Sequence, residues 1–201
     1  LKNTKRQPVV KDEILKKIRN ICRNTFLSCI QDGYIDNPWR ENAQWLGDAL
    51  PQSYIMSSIC NDNRPLKRVI ELAVEGIYPD NLLPSVLPSE AHSYSILDYN
   101  FIWVELLEFY LMQTNDKDFI YSKINIINGL IDNFNKYINS DGLLVSKPGK
   151  RLFLDWSLVS RNQPNAVYNF HYLYFLQKSQ NIFDHLNYEY DLSESINKLK
   201  S

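Results

Sequence analysis

The chain has 201 residues, enough for one domain or a large piece of one, and its 44% apolar content supplies a sizeable core. A net charge of -1 removes the electrostatic argument for nucleic acid or an anionic membrane surface as partner. No apolar run reaches the ~18–20 residues of a membrane span.

Three cysteines, Cys22, Cys29 and Cys60, show no metal-type spacing and form an odd set. Cys22 and Cys29 share a predicted helix face two turns apart. That separation is about 10 Å, too far for a disulfide. All three read as small buried apolar residues. They leave the redox compartment open, with a periplasmic or secreted location favoured over a cytoplasmic one.

Residues 1–10 form a polar, basic lead-in with Pro8 and Val9-Val10. From Lys11 to Gln31, Ile14, Leu15, Ile18, Ile21, Cys22, Thr25, Phe26 and Cys29 recur at steps of three and four, an amphipathic helix closed by Asp32-Gly33. Residues 34–39 read as a loop. Residues 40–61 read as helix, with a possible interruption at Pro51. Pro65 opens a helix that runs to Gly76. Residues 78–98 form a long loop with Pro79, Pro84 and Pro88, and loops of that length in compact domains usually carry function.

Residues 99–113 are apolar nearly all round, which predicts a helix covered on every side. Residues 117–138 carry a one-sided stripe (Ile120, Ile124, Ile127, Ile131, Phe134, Ile138) and so a solvent face. Residues 139–156 are an irregular connector in which 143–145 and 152–154 are expected to pair as a short β-hairpin. Residues 164–179 form a second all-round apolar helix, and a last helix lies around 188–200. Covered and one-sided helices alternate. The pattern predicts an all-α, two-layer helical toroid treated as a single domain. Its loops at 32–39, 78–98 and 139–163 gather at one end.

One stretch concentrates chemistry. Asp36 to Asp48 holds three carboxylates, two tryptophans and one arginine. Indoles offer flat apolar platforms to sugar rings, while carboxylates bind hydroxyls and move protons. Aromatic residues reach 13% of the chain, a level for which composition alone favours a tyrosine-rich core over a sugar site. The competing reading of the carboxylates is a solvated acidic loop at a helix N-terminus. His92, His171 and His185 stand alone without a second ligand at helical spacing, so no metal site is expected. No nucleophile elbow or phosphate loop is present, and no cofactor is called for.

The order of motifs resembles a known family. Asp36-Asn37-Pro38-Trp39-Arg40-Glu41, followed by Trp45-Leu46-Gly47-Asp48, resembles the Asp-Cys-Pro-x-Arg-Glu…Gly-Asp signature of bacterial α-L-rhamnosidases, six-hairpin glycosidases with an (α/α)6 barrel. Asn37 stands where Cys is usual. Gly76 to Ser89, Asp98-Tyr99-Asn100-Phe101-Ile102-Trp103, Asp141-Gly142-Leu143-Leu144 and Phe153-Leu154-Asp155-Trp156 are similar to later family segments, so the likeness spans roughly residues 11–180.

The resemblance implies about half of such a barrel and an inverting hydrolysis of terminal α-L-rhamnosides. It makes Glu41 the general acid and Asp36 and Asp48 hydroxyl-binding carboxylates. Arg40 is the neighbour that holds Glu41, and Trp45, Trp103 and Trp156 line the sugar pocket. Asp98 and Asp155 are further substrate-binding candidates, with helix capping as the competing reading. The implied partners are a rhamnose-containing glycan or glycoside and, in the same polypeptide, β-sandwich domains and the rest of the barrel. Inversion needs a second carboxylate as general base, about 6.5–9.5 Å from the acid, and none of the 201 residues is assigned to it. The alternatives are a non-catalytic carbohydrate-binding or interaction module of helical hairpins, and a six-hairpin glycosidase of another sugar specificity.

Overall fold

In the computed structural model, residues 9–88 and 95–200 are described. Most of the lead-in, together with Ser89 and His92, lies outside them. The first helix, α1 (Glu13–Ser28), starts on Asp12, whose side chain accepts from the amides of Ile14 and Leu15 at 2.8 and 3.0 Å. Its expected apolar stripe forms but does not enter the core. Ile14, Leu15, Ile18 and Ile21 are exposed, and only the last turn, through Phe26 and the capping Cys29, is buried. Cys22 lies on the same bare face, so it is exposed rather than buried as expected.

The second helix was expected from residue 40. Instead the chain doubles back first. Asp36 and Ala43 are joined by the Asp36 N–H to the Ala43 carbonyl and by the Ala43 N–H to Asp36 Oδ1, both at 2.9 Å. Asn42 takes the left-handed conformation this reversal needs. A short strand β1 (Gln44–Trp45) pairs antiparallel with β2 (Val86–Leu87). Only then does α2 (Leu46–Ile59) begin, and it runs through the exposed Pro51 without a break. Next come α3 (Arg64–Glu75), with Pro65 in its first turn, and α4 (Tyr99–Thr114). The expected 117–138 helix is two helices, α5 (Lys117–Tyr121) and α6 (Ile124–Asn135). Ser122 closes the first of them, its hydroxyl donating to the Phe119 carbonyl at 2.6 Å.

The expected hairpin between 143–145 and 152–154 is absent, because other partners claim those backbone groups. The Asn169 side chain accepts from the Leu144 N–H at 2.7 Å and donates to the Leu144 carbonyl at 2.9 Å. Asp98 takes the N–H groups of Phe153 and Leu154. The bridges that form instead join Ile138 to Leu144 and Ile96 to Arg151. The chain ends on α7 (Ala166–Leu186), capped by Asn165 and longer than expected, and α8 (Ser193–Lys200).

α4 packs between α2 and α7, and these three form the inner layer. α3 backs α4, α8 backs α7, and α6 meets both α4 and α7 through the Phe134 ring, which lies 4.7 Å from Phe101 and 6.2 Å from both Tyr172 and Phe175. The arrangement is a partial α/α toroid. Phe101 is the hub of its aromatic core, touching Phe134, Tyr168, Tyr172 and Phe175 at 4.7–5.6 Å. Glu108 and Lys178 add an ion pair between α4 and α7.

α4 is covered nearly all round, as its composition predicts. α7 is not: Val167, Phe170 and Tyr174 remain exposed on one face, while α4, α8 and the Phe134 ring of α6 cover its other sides. Trp103 was expected at a sugar pocket. It is instead fully buried between α4 and α3, where its indole N–H donates to the Ile70 carbonyl at 3.3 Å. Its position on α4 turns it away from the loops. Trp103→Ala should therefore cost about 3–5 kcal/mol of unfolding free energy, measured by urea denaturation; a loss under about 1 kcal/mol would contradict this placement.

Candidate functional site

The loops that precede the three inner helices converge at one end. The β1–β2 ladder joins the first loop to the second. The Leu46 N–H donates to the Ser85 carbonyl at 3.0 Å, and the Ser85 hydroxyl accepts from the Ile96 N–H at 2.6 Å. Fully buried Asn100 stitches the second loop, accepting from the Leu83 N–H and donating to the Ile96 carbonyl. The third loop is fastened to the second by Asp98. Its two oxygens accept from the amides of Phe153 and Leu154 at 2.9 and 3.0 Å, and the Leu97 N–H donates to the Arg151 carbonyl.

Asp98 was expected among the substrate-binding residues. It is buried and both its oxygens are engaged with backbone, so it acts as an anchor and not as a sugar ligand. The residues it holds, Leu154 and Asp155, are both left-handed, with φ of 50° and 56°. Such backbone is costly for side-chain-bearing residues and persists only when its surroundings hold it.

Glu41 sits at the centre of the first loop. Its Oε1 pairs with Arg40 at 2.6 Å and its Oε2 accepts from the Trp45 indole N–H at 2.9 Å. The ion pair is exposed and adds little stability, but together the two donors fix the carboxyl plane. Trp45 also starts a chain of edge-to-face rings. It meets Tyr99 at 6.4 Å, Tyr99 meets Phe153 at 5.9 Å, and Phe153 meets Trp156 at 5.2 Å. This aromatic wall runs from the first loop to the third. Trp156 is 83% exposed at its far end, a surface open to a ligand. Gly47 makes the wall possible: a Cβ there would lie 2.6 Å from the Tyr99 ring. Trp39, 92% exposed, stands at the tip of the first loop.

The carboxylates gather beside this wall. Asp48 lies in the first turn of α2, where the helix dipole favours its charge. Burial opposes this, as do the charges of Asp36, Glu41 and Asp155, and together they win: its carboxyl is pushed up from 3.8 to about 6. Burial, with Asp48, Asp98 and Asp155 nearby, also raises the Tyr99 phenol. The structure therefore unites Asp36, Arg40, Glu41, Trp45, Asp48, Asp155 and Trp156, and leaves out Trp103 and, as a ligand, Asp98.

Reading the sequence missed Tyr99 and Phe153. Their signals were present: Tyr99 beside Asp98 in an otherwise core-like helix, and Gly47 as the small residue facing it. His171 rests edge-on against Phe101 at 5.3 Å and burial lowers its basicity. His185 is hydrogen-bonded to Asn115 at 3.0 Å. Among the described residues no group of three or more His, Cys, Asp or Glu is placed to hold a metal ion.

Two outcomes test this geometry. Because folded Asp48 holds its proton up to about pH 6, it binds a proton that the unfolded chain releases near 3.8. Stability should fall as pH rises through that window. Asp48→Asn should melt higher than the parent chain at pH 8, with the gap closing toward pH 5, as read by thermal melts across pH. Asp98→Asn should lose about 1.5–3 kcal/mol, the worth of charge-assisted bonds to the backbone; an unchanged melt would show that the anchor is dispensable.

Solved structures share this fold, three of them as follows. A rhamnosidase from Klebsiella oxytoca with rhamnose bound superposes with a TM-score of 0.82 at 18% identity, over 99% of this chain and 40% of that one. A GH78 family rhamnosidase of Bacillus sp. GL1 gives 0.84 at 20% identity, over 96% of this chain and 20% of that one. An α-L-rhamnosidase from Dictyoglumus thermophilum gives 0.77 at 17% identity, over 96% and 22%. The chain thus spans from about a fifth to two fifths of the length of these proteins. No curated protein matches it. The family model for the bacterial alpha-L-rhamnosidase 6 hairpin glycosidase domain matches residues 9–197, nearly the whole chain, and the chain belongs to that family.

Proposed function

We propose that this chain carries the acid half of an α-L-rhamnosidase site and that the whole protein hydrolyses terminal α-L-rhamnosides with inversion. The observation that carries the reading is Glu41, held at both oxygens by Arg40 and Trp45 and facing an acidic cluster walled by aromatic rings. Such a site suits a sugar: the rings take its apolar face and the carboxylates accept its hydroxyls.

In the proposed reaction Glu41 donates its proton to the glycosidic oxygen as the bond to the anomeric carbon breaks. Water attacks that carbon from the opposite face, and a second carboxylate takes its proton. Asp36, Asp48 and Asp155 orient the ring hydroxyls, and Trp45 and Trp156 flank it. The second carboxylate is assigned to residues outside these 201, in the remainder of a closed barrel. Exposed apolar faces on α1 and α7 support that extension, as does the limited share of the neighbouring structures that the chain spans.

Glu41→Gln in the full-length protein should lower kcat on a rhamnoside with a poor leaving group by ~10²–10⁴-fold. Binding of free rhamnose should persist. Unchanged turnover in this variant would remove Glu41 from the acid role.

A further inference from the structure

The acid and one hydroxyl-binding carboxylate are joined by a single side chain. Asn37 lies between Asp36 and the turn that carries Glu41. Its Oδ1 accepts from three successive amides: Trp39 at 3.1 Å, Arg40 at 2.7 Å and Glu41 at 3.4 Å. Its Nδ2 donates to Asp36 Oδ2 at 2.5 Å. The amide can point only one way, since reversing it would set N–H against N–H and oxygen against carboxylate. Asp36 Oδ1 is fixed separately by the Ala43 N–H at 2.9 Å.

We infer that Asn37 is a positioning residue that sets two groups at once. Its oxygen fixes the backbone from which Glu41 reaches the glycosidic oxygen, and its amide nitrogen fixes the Asp36 carboxylate that receives a sugar hydroxyl. The inference rests on the rhamnosidase reading above. A Cys at this position, as in the signature that the stretch resembles, would offer only a weak donor and a weak acceptor on a shorter arm. The two ends of the amide are chemically separable. Asn37→Ala removes both. Asn37→Asp keeps an acceptor for the turn but replaces the donor by a carboxylate that repels Asp36.

The test uses the full-length protein and two aryl α-L-rhamnosides, one with an alkoxyphenyl and one with a dinitrophenyl leaving group. Proton donation matters for the first and little for the second. Asn37→Ala should lose ~10–100-fold in kcat on the alkoxyphenyl substrate and far less on the dinitrophenyl one. Asn37→Asp should keep the wild-type dependence on leaving group yet bind free rhamnose ~10-fold more weakly, the effect of about 1.4 kcal/mol.

A purely structural role would lower both substrates equally and track the loss in Tm; that result overturns the inference. Wild-type rhamnose affinity in Asn37→Asp overturns it too, and this variant decides the matter alone if Asn37→Ala does not fold. Glu41→Gln is the control. If it shows the wild-type leaving-group dependence, the acid assignment fails and not the bracket; a full-length protein that neither binds rhamnose nor cleaves either substrate overturns both.

Discussion

The site depends on one buried carboxylate. Asp98 stands at the head of α4, and its two oxygens hold the amides of Phe153 and Leu154, 55 and 56 residues later. A polar group out of water is costly unless its lone pairs are filled. Here backbone amides fill them, and in return a loop without regular structure is given one conformation. Two consecutive left-handed residues, Leu154 and Asp155, follow from that grip. Phe153 is thereby laid on Tyr99, Trp156 on Phe153, and Asp155 is brought near Asp48. With the Leu97–Arg151 bond beside it, this anchor brings the third loop to the first.

The acidic cluster is the opposite case, a group of like charges that the fold tolerates. Asp36, Glu41, Asp48 and Asp155 repel, and Asp48 bears the consequence in its raised proton affinity. The scaffold offsets this with fixed dipoles, namely the first turn of α2, the Asn37 amide and the Trp45 indole, and with the positive charge of Arg40. Repulsion of this kind is lowered by anything that donates hydrogen bonds into the cluster. A polyhydroxylated ring, the ligand proposed above, would do so from several directions.

Much of this was legible in the chain. The three- and four-residue apolar steps located α1 and α3, the nearly unbroken apolar run located α4, and Pro65 marked the start of α3. The crowding of carboxylates and indoles in Asp36–Asp48 marked the stretch on which the candidate site is built. What escaped was set by side chain to backbone bonds with no periodicity. Asp36 and Asn37 hold the chain back from helix until Leu46. Asn169 and Asp98 take the amides that a hairpin would have used. Trp103 was misassigned because an indole in an apolar helix has the same letter whether it faces a pocket or a neighbouring helix. Only the rotation of α4, fixed by packing on α3, decides between them.

The bare faces of α1 and α7 carry a further consequence. Ile14, Ile18 and Ile21 on one helix and Val167, Phe170 and Tyr174 on the other give the arc two adhesive margins. Whatever seals these margins recognises the folded arc and not the unfolded chain, so it draws the folding equilibrium forward by mass action. Covered in this way, the inner helices would owe part of their persistence to surfaces they do not themselves contain. A polar side chain introduced at Ile18 or Phe170 would be felt less as a defect of the interior than as a loosened seam.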